Sequence, residues 1–411
     1  MKIAIVIERY APQSGGAERS TAEVAAELRS RGHDVTIFTG AVRPVSTKTH
    51  EFSTQGRGSL SVAVCPFGSP KGISRLILFR RWVRRKIRKG YDASLSVTSS
   101  VPAQVVQPRA GLIPDLQNRS LAWRRSAAGR RLRQFVLAIN FRQKLLRALE
   151  AWTFRAPEVK HIACISDMIR RHCAAHYPDV ATKLVHIGNA VKPVRATAGE
   201  CVVWRERIRA EWKCREDTTA FFLPSLDSRR KGLTPLLHAM ALLRKEAPDL
   251  PVMLAVCGQV HSTQARLIQT LNLGGCVQQI GFRKDLRPYY VASDVTVLPT
   301  YYDSFGRVVI EALMLGRPSI TTAWAGAAEL VQPLAGNERH GRVVDDPDDI
   351  PALARAMRDL CDPAERQRCV AGTERILETH TISRHVDALV ALFESARPLK
   401  AQAVPVPSSR E

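Results

Sequence analysis

Three features of this 411-residue chain predict an α/β protein of two domains, each a doubly wound parallel sheet, facing one another across a central cleft. The length suits two domains, with material for a core in each. Short runs rich in Val, Ile and Leu alternate with amphipathic stretches along the chain, as buried parallel strands alternate with crossover helices. The alternation restarts near Thr218, after a mixed and partly helical connection from Lys192 to about Cys214.

The first domain opens with a strand at 2–7, a loop from Glu8 to Gly16 and a helix at 17–31 whose buried stripe is Thr21, Val24, Ala25 and Leu28. Gly32 stands where a helix C-cap belongs, and a strand at 35–38 completes a βαβ unit. That first turn holds only Gly15-Gly16 and lacks the GxGxxG dinucleotide fingerprint. A general phosphate-approach loop is therefore expected, not a nicotinamide or flavin site. Further strands are expected at 93–97, 161–165 and 183–191, with Ser166 and Asp167 placed to cap the helix that follows the second of them. In the second domain, strands at 220–223, 252–256, 277–280, 295–298, 319–321 and 342–344 alternate with helices that include 234–244, 263–271 and 305–315. The expected organisation is a first domain at 1–192, a second at 215–378, a final helix at 379–396 packing back toward the first, and a disordered tail at 397–411.

Hydrophobic content of 45% and charged content of 24% are ordinary for a globular protein. No apolar run approaches a membrane span and no signal-peptide core follows Met1, so a cytoplasmic protein is expected. The nine cysteines form no CxxC pairs, which fits a reducing compartment and argues against zinc.

The net charge of +23 is the outlier. Eight Lys or Arg residues lie between Arg75 and Lys89, around an apolar helical face of Leu76, Phe79, Val83 and Ile87. From Leu116 to Leu149 there is no acid, while basic residues interleave with Trp123, Leu132, Phe135, Ile139, Phe141 and Leu145. Basic amphipathic helices carrying aromatic residues point to an anionic membrane surface, the alternative being a solvated helix face. With no recognisable nucleic-acid module and 6% aromatic residues, nucleic acid is the less attractive partner.

The stretch Tyr301-Tyr302-Asp303-Ser304-Phe305-Gly306-Arg307 follows the apolar run 295–298 and leads into a helix carrying Glu311. Ser304 is expected to cap that helix, and Gly306 to let a ligand approach its free amides, an anion site suited to phosphate. Asp303 and Glu311 bracket the terminus, one at the loop mouth and the other about two turns on. A strand–helix joint with an ordinary surface Asp is the other reading. Arg230 and Lys231 lie in the strand-to-helix loop 226–232, at the same expected cleft edge, where they can neutralise a diphosphate.

Taken together, Arg9-Tyr10-Ala11-Pro12, Gly15-Gly16-Ala17-Glu18-Arg19, Glu150-Ala151-Trp152-Thr153-Phe154, Cys164-Ile165-Ser166-Asp167, Arg230-Lys231-Gly232 and the Asp303-x7-Glu311 spacing resemble the family-4 retaining glycosyltransferases of the GT-B fold. Within that family the likeness is to the glucosyltransferases of the lipopolysaccharide core. The resemblance implies two Rossmann-like domains and a nucleotide diphosphate sugar, UDP-glucose first among them, as donor. It implies a glycolipid or oligosaccharide acceptor and work at the inner face of the plasma membrane. Gly16 would give the diphosphate backbone access, Arg230 and Lys231 would bind it, and Asp303 would contact the donor sugar. The amides of Ser304, Phe305, Gly306 and Arg307 would meet sugar and phosphate, Glu311 would hold the ribose, and the loop at Gly281 and Phe282 would border the base. No cofactor or metal is implied, because fixed cations supply the charge stabilisation. The run Asp345-Asp346-Pro347-Asp348-Asp349 reads as a turn and helix cap. Two positions depart from the family pattern: Asp303 is one methylene shorter than the usual Glu, and Arg109 stands where relatives tend to carry His or an acid. Arg109 cannot act as a base; an acceptor phosphate or the departing diphosphate is its candidate partner, a structural loop residue being the other reading. The alternatives are a mannosyltransferase using GDP-mannose, or a non-catalytic basic protein binding nucleic acid or membrane on the same scaffold.

Overall fold

The computed structural model describes residues 1–12, 15–42, 58–70, 72–88, 90–124, 127–332 and 339–397. The tail from residue 398, Lys89 and Arg125 lie outside the described residues. The first domain runs β1 (Lys2–Ile7), α1 (Gly16–Ser30), β2 (Asp34–Thr39), β3 (Leu60–Val64), α2 (Ile73–Ile87), β4 (Ala93–Ser96), β5 (Val105–Val106), α3 (Ile113–Ala122), α4 (Ala127–Ile139), α5 (Phe141–Arg155), β6 (His161–Cys164), α6 (Asp167–His176) and β7 (Leu184–His186). The second runs α7 (Ala198–Glu211), β8 (Thr219–Pro224), α8 (Leu233–Glu246), β9 (Val252–Cys257), α9 (Ser262–Thr270), β10 (Val277–Gly281), α10 (Arg287–Ala292), β11 (Val295–Leu298), α11 (Arg307–Met314), β12 (Ser319–Thr322), α12 (Ala328–Val331) and β13 (Gly341–Val344). It ends in α13 (Ile350–Asp359), α14 (Pro363–Val370), α15 (Glu374–Thr379) and α16 (Ile382–Ser395).

Both sheets are parallel, ordered β3-β2-β1-β4-β5-β6-β7 and β10-β9-β8-β11-β12-β13. Helices cover both faces, so β8, β9 and β11 are buried at every residue. The strand order reverses between β1 and β4 in one sheet and between β8 and β11 in the other. Such switch points leave a crevice at the strand C-termini. The glycine pair follows β1, the Arg230–Lys231 loop follows β8, and the Asp303 loop follows β11. All three motifs thus sit where the topology makes room for a ligand.

The last helix, α16, leaves the second domain and packs Ile382, Val386, Leu389 and Phe393 into the core formed by β1 and the Val24–Leu28 face of α1. Each of these fully buried side chains contributes about 1.5–3 kcal/mol, and Arg31 adds an ion pair to Asp387 at 2.5 Å. Ser166 caps α6 by accepting from the Ile169 amide, and Asp349 caps α13 in the acidic run. The nine cysteines are all free thiols.

The basic segment 113–155 is helical as expected, in three helices. Two expectations need correction. The strands β3 and β5 are additional to those expected. The apolar face of α2 is not available to a membrane: Phe79 and Val83 are buried against β1 and Phe38, and Leu76 is buried too, while Ile77, Leu78 and most of the basic residues face solvent. By contrast α4 buries no residue at all, and Leu132, Phe135, Ile139 and the adjoining Phe141 are each more than 60% exposed.

Candidate active site

Between β8 and α8 the chain passes through Gly232 at φ 77°, where a Cβ would collide with the Pro299 carbonyl. This close approach lays Lys231 over the end of β11. Its Nζ donates to Asp303 Oδ2, an ion pair whose side chains are 13% and 16% exposed. Burial works against the Asp303 carboxylate, but Lys231 and Arg230 outweigh it and hold its pKa below the ordinary value. Burial draws the Lys231 pKa down, with Asp303 opposing. Arg230 donates to the Tyr302 carbonyl at 3.2 Å and lies 3.5 Å from Asp227.

Gly306, at φ 93°, and not Ser304, is the N-cap of α11. The Ser304 hydroxyl points into the other domain, donating to the Arg109 carbonyl at 2.6 Å. The Phe305 amide donates to Asp303 Oδ1 at 3.3 Å, and its ring is buried in the core of the second domain. Glu311 faces back along α11 and accepts from the buried Tyr290 hydroxyl at 3.1 Å. Its pKa is raised, chiefly by burial. At the far edge of the same sheet, Gly281 ends β10 and Phe282 is 66% exposed.

The first domain meets this edge directly. Gly16 opens α1, and a Cβ there would lie 3.7 Å from the Arg307 side chain. From α1, Glu23 pairs with Arg307 at 2.9 and 3.3 Å and with Arg19 at 3.2 Å, while Arg19 stands 4.0 Å from Glu311. Ser166 donates to the Ser304 carbonyl at 3.0 Å. Tyr302 leaves the second domain altogether: its ring packs in the first-domain core beside Leu112 and Phe154, and its hydroxyl accepts from the Leu112 amide at 3.0 Å. Gly111, at φ 91°, makes room for it, since a Cβ would strike the Tyr302 ring. Residues on both sides of Asp303 are therefore fixed by the opposite domain.

Arg109 is enclosed by protein groups. It is 5% exposed and donates to Gln107 and Ser20, with His385 Nε2 at 3.4 Å. Burial lowers its pKa to about 9. Sequence reasoning missed Glu23, Tyr302 and Gly111. A polar residue flanking the buried stripe of α1 was the only signal for Glu23, and the Tyr302–Gly111 contact joins positions remote in sequence.

Two family domains cover most of the chain. Residues 14–195 match Glycosyltransferase Family 4, and residues 217–362 match the Glycosyl transferases group 1. The D-inositol 3-phosphate glycosyltransferase of Pseudarthrobacter chlorophenolicus is 29% identical over 109 residues, 25% of this chain and only 26% of that relative's length. The lipopolysaccharide glucosyltransferase WaaG of Escherichia coli is 21% identical over 332 residues, 80% of this chain and 83% of that protein. The crystal structure of WaaG superposes with a TM-score of 0.71 at 18% identity, covering 95% of this chain and 99% of that one. Anabaena Alr3699/HepE, in complex with UDP and glucose, gives 0.66 at 18% identity, covering 96% of this chain and all of that one. These superpositions show a shared fold.

Proposed function

We propose that this chain, a glycosyltransferase of the GT-B fold by both of its domains, moves a hexose from a nucleotide diphosphate sugar, UDP-glucose foremost, to a glycolipid or oligosaccharide acceptor. The observation that carries the reading is the Lys231–Asp303 ion pair at the switch point of the second sheet, opposite Gly16 and beside the first turn of α11. An ion pair at a cleft edge can exchange partners. Lys231, with Arg230, turns to the diphosphate and stabilises the charge that grows on it as the sugar departs. Asp303, held ionised, accepts from the sugar hydroxyls. Glu311 holds the ribose, and the exposed Phe282 borders the base.

Among the described residues no second carboxyl is identified as the partner of Asp303 that a double displacement requires, Glu311 lying about two turns along α11. Transfer with retention then proceeds on the donor's front face, with the leaving phosphate taking the acceptor's proton. Lys231 and Arg230 do the charge stabilisation, so no metal is required. The names of WaaG and of the HepE complex favour glucose and UDP.

The acceptor side lies with an anionic membrane. No helix among the described residues is long and apolar enough to cross one. The exposed apolar face of α4, flanked by Arg130, Arg131, Arg142 and Lys144, suits peripheral attachment. A thermal-shift panel of UDP, GDP, UDP-glucose and GDP-mannose tests the donor, because a ligand that binds only the native state raises its melting temperature. Stabilisation by UDP and UDP-glucose is expected; stabilisation by the guanine pair alone reassigns the donor.

A further inference from the structure

Resting on the donor assignment above, we infer that the Arg307 side chain is a third cation for the donor diphosphate, and that Glu23 is a carboxylate holding it in register until the diphosphate takes its place.

Arg307 is the first residue of α11, where the helix dipole is positive and a cation is disfavoured. Helix stability therefore does not explain it. Its guanidinium instead meets Glu23 with two nitrogens, at 2.9 and 3.3 Å, in the forked geometry that arginine also makes with phosphate. Both side chains are nearly enclosed, at 10% and 7% exposure. The aliphatic part of Arg307 runs past Gly16, the glycine that leaves room for a phosphate to approach the backbone. Around the pair stand Arg19, which also faces Glu311 at 4.0 Å, and the buried Arg109, which feels the charge of Arg307. Arg307, Arg19 and Arg109 put a positive field near the N-terminal parts of two helices, α1 and α11. An anion of two or more charges is the partner that balances it.

A diphosphate entering between Gly16 and α11 would present its oxygens to Arg307 in place of the Glu23 carboxylate. Glu23 keeps its bond to Arg19, so the exchange leaves no buried acid without a partner. Arg307 thereby reads the number of phosphates, and Glu23 sets how strongly they must compete.

The experiment is calorimetric titration of the full chain with UDP, GDP, UMP and GMP. Arg307→Gln is expected to weaken binding of the diphosphate that the wild type prefers by about tenfold, and of its monophosphate by about twofold at most. Arg307→Lys should recover part of the loss. Glu23→Gln, which keeps shape and removes the competing charge, should tighten diphosphate binding several-fold. The reversed pair Glu23→Arg with Arg307→Glu restores an ion pair between the domains, so it separates a latch from a phosphate site. Diphosphate affinity that stays at the Arg307→Gln level supports the inference. Recovery to the wild-type level, or an unchanged diphosphate-to-monophosphate ratio in Arg307→Gln, overturns it while the donor reading stands. Failure of the wild type to bind any of the four nucleotides overturns both.

Discussion

Lys231 and Arg109 are both buried cations on loops at the cleft, and both are expected from sequence to serve phosphate. Their surroundings separate them. Lys231 lies against an acid, Asp303, at a sheet switch point. Arg109 lies among neutral groups, Gln107, Ser20 and His385, with no carboxylate among its hydrogen-bond partners in the described residues. A buried charge facing an opposite charge at a cleft can change partners when an anion arrives. A buried charge wrapped by neutral groups organises its own domain, because removing any partner strands a polar group at a cost of about 1–3 kcal/mol.

The largest effect that would break this distinction comes from the second domain. Lys231→Ala combined with Arg230→Ala should lower the transfer rate by about two to three orders of magnitude, as loss of charge stabilisation in a transition state does, with the fold retained. Wild-type turnover in this variant would remove both residues from the chemistry. Within the same pair of acids, Asp303→Asn should act mainly on kcat, and Glu311→Gln mainly on the donor KM, because ribose is gripped equally in ground and transition states. Steady-state kinetics with the opposite split would exchange the two roles.

A smaller effect is expected from the first domain, and of another kind. Arg109→Lys keeps the charge but loses the planar fork that reaches Gln107, Ser20 and His385. It should lower the melting temperature by several degrees, with kcat of the folded fraction within about threefold of wild type. A large fall in kcat at unchanged melting temperature would return Arg109 to the phosphate.

Glu150 extends the same contrast to an acid. Fully buried, it accepts from Tyr177 and from the Ile113 amide at the start of α3, and burial pushes its pKa up to about 7 from 4.5. Between those values the folded chain keeps a proton that the unfolded chain releases. Its contribution to stability is therefore complete below about 4.5 and lost as pH rises through about 7. That difference amounts to about 3 kcal/mol. Glu150→Gln should flatten the fall in melting temperature across this range, and an identical slope in the variant would assign the pH dependence to other groups.

What the sequence made legible follows from the same physics. Continuous apolar runs and their turns located the neighbourhoods of eleven of the thirteen strands and every cleft loop, because buried parallel strands need such runs. The strand β3 escaped because it is an edge with mostly exposed residues, and β5 because it is two residues long. The basic helices show the limit most clearly. Both α2 and α4 read as amphipathic and cationic, yet α2 buries Phe79 and Val83 in the core while α4 buries nothing. Periodicity gives a helix an apolar face without saying what covers it. Ser304 was misread for a related reason: a serine before a helix resembles a cap, and only the neighbouring domain shows that its hydroxyl is taken by the Arg109 carbonyl.

The smallest effect concerns those helices. Phe135→Ser with Ile139→Ser on α4 should weaken sedimentation with anionic liposomes and leave the fold intact, while basic residues of α2 add a salt-sensitive part. Equal sedimentation with neutral and anionic lipid would assign the exposed face of α4 to some other partner.

The most direct test of the account is the affinity for UDP-glucose of three proteins measured side by side by calorimetry: wild type, Lys231→Ala and Arg109→Lys. The account predicts tight binding by wild type, a loss of about tenfold or more in Lys231→Ala, and binding close to wild type in folded Arg109→Lys. Unchanged binding in Lys231→Ala together with loss in Arg109→Lys would contradict it.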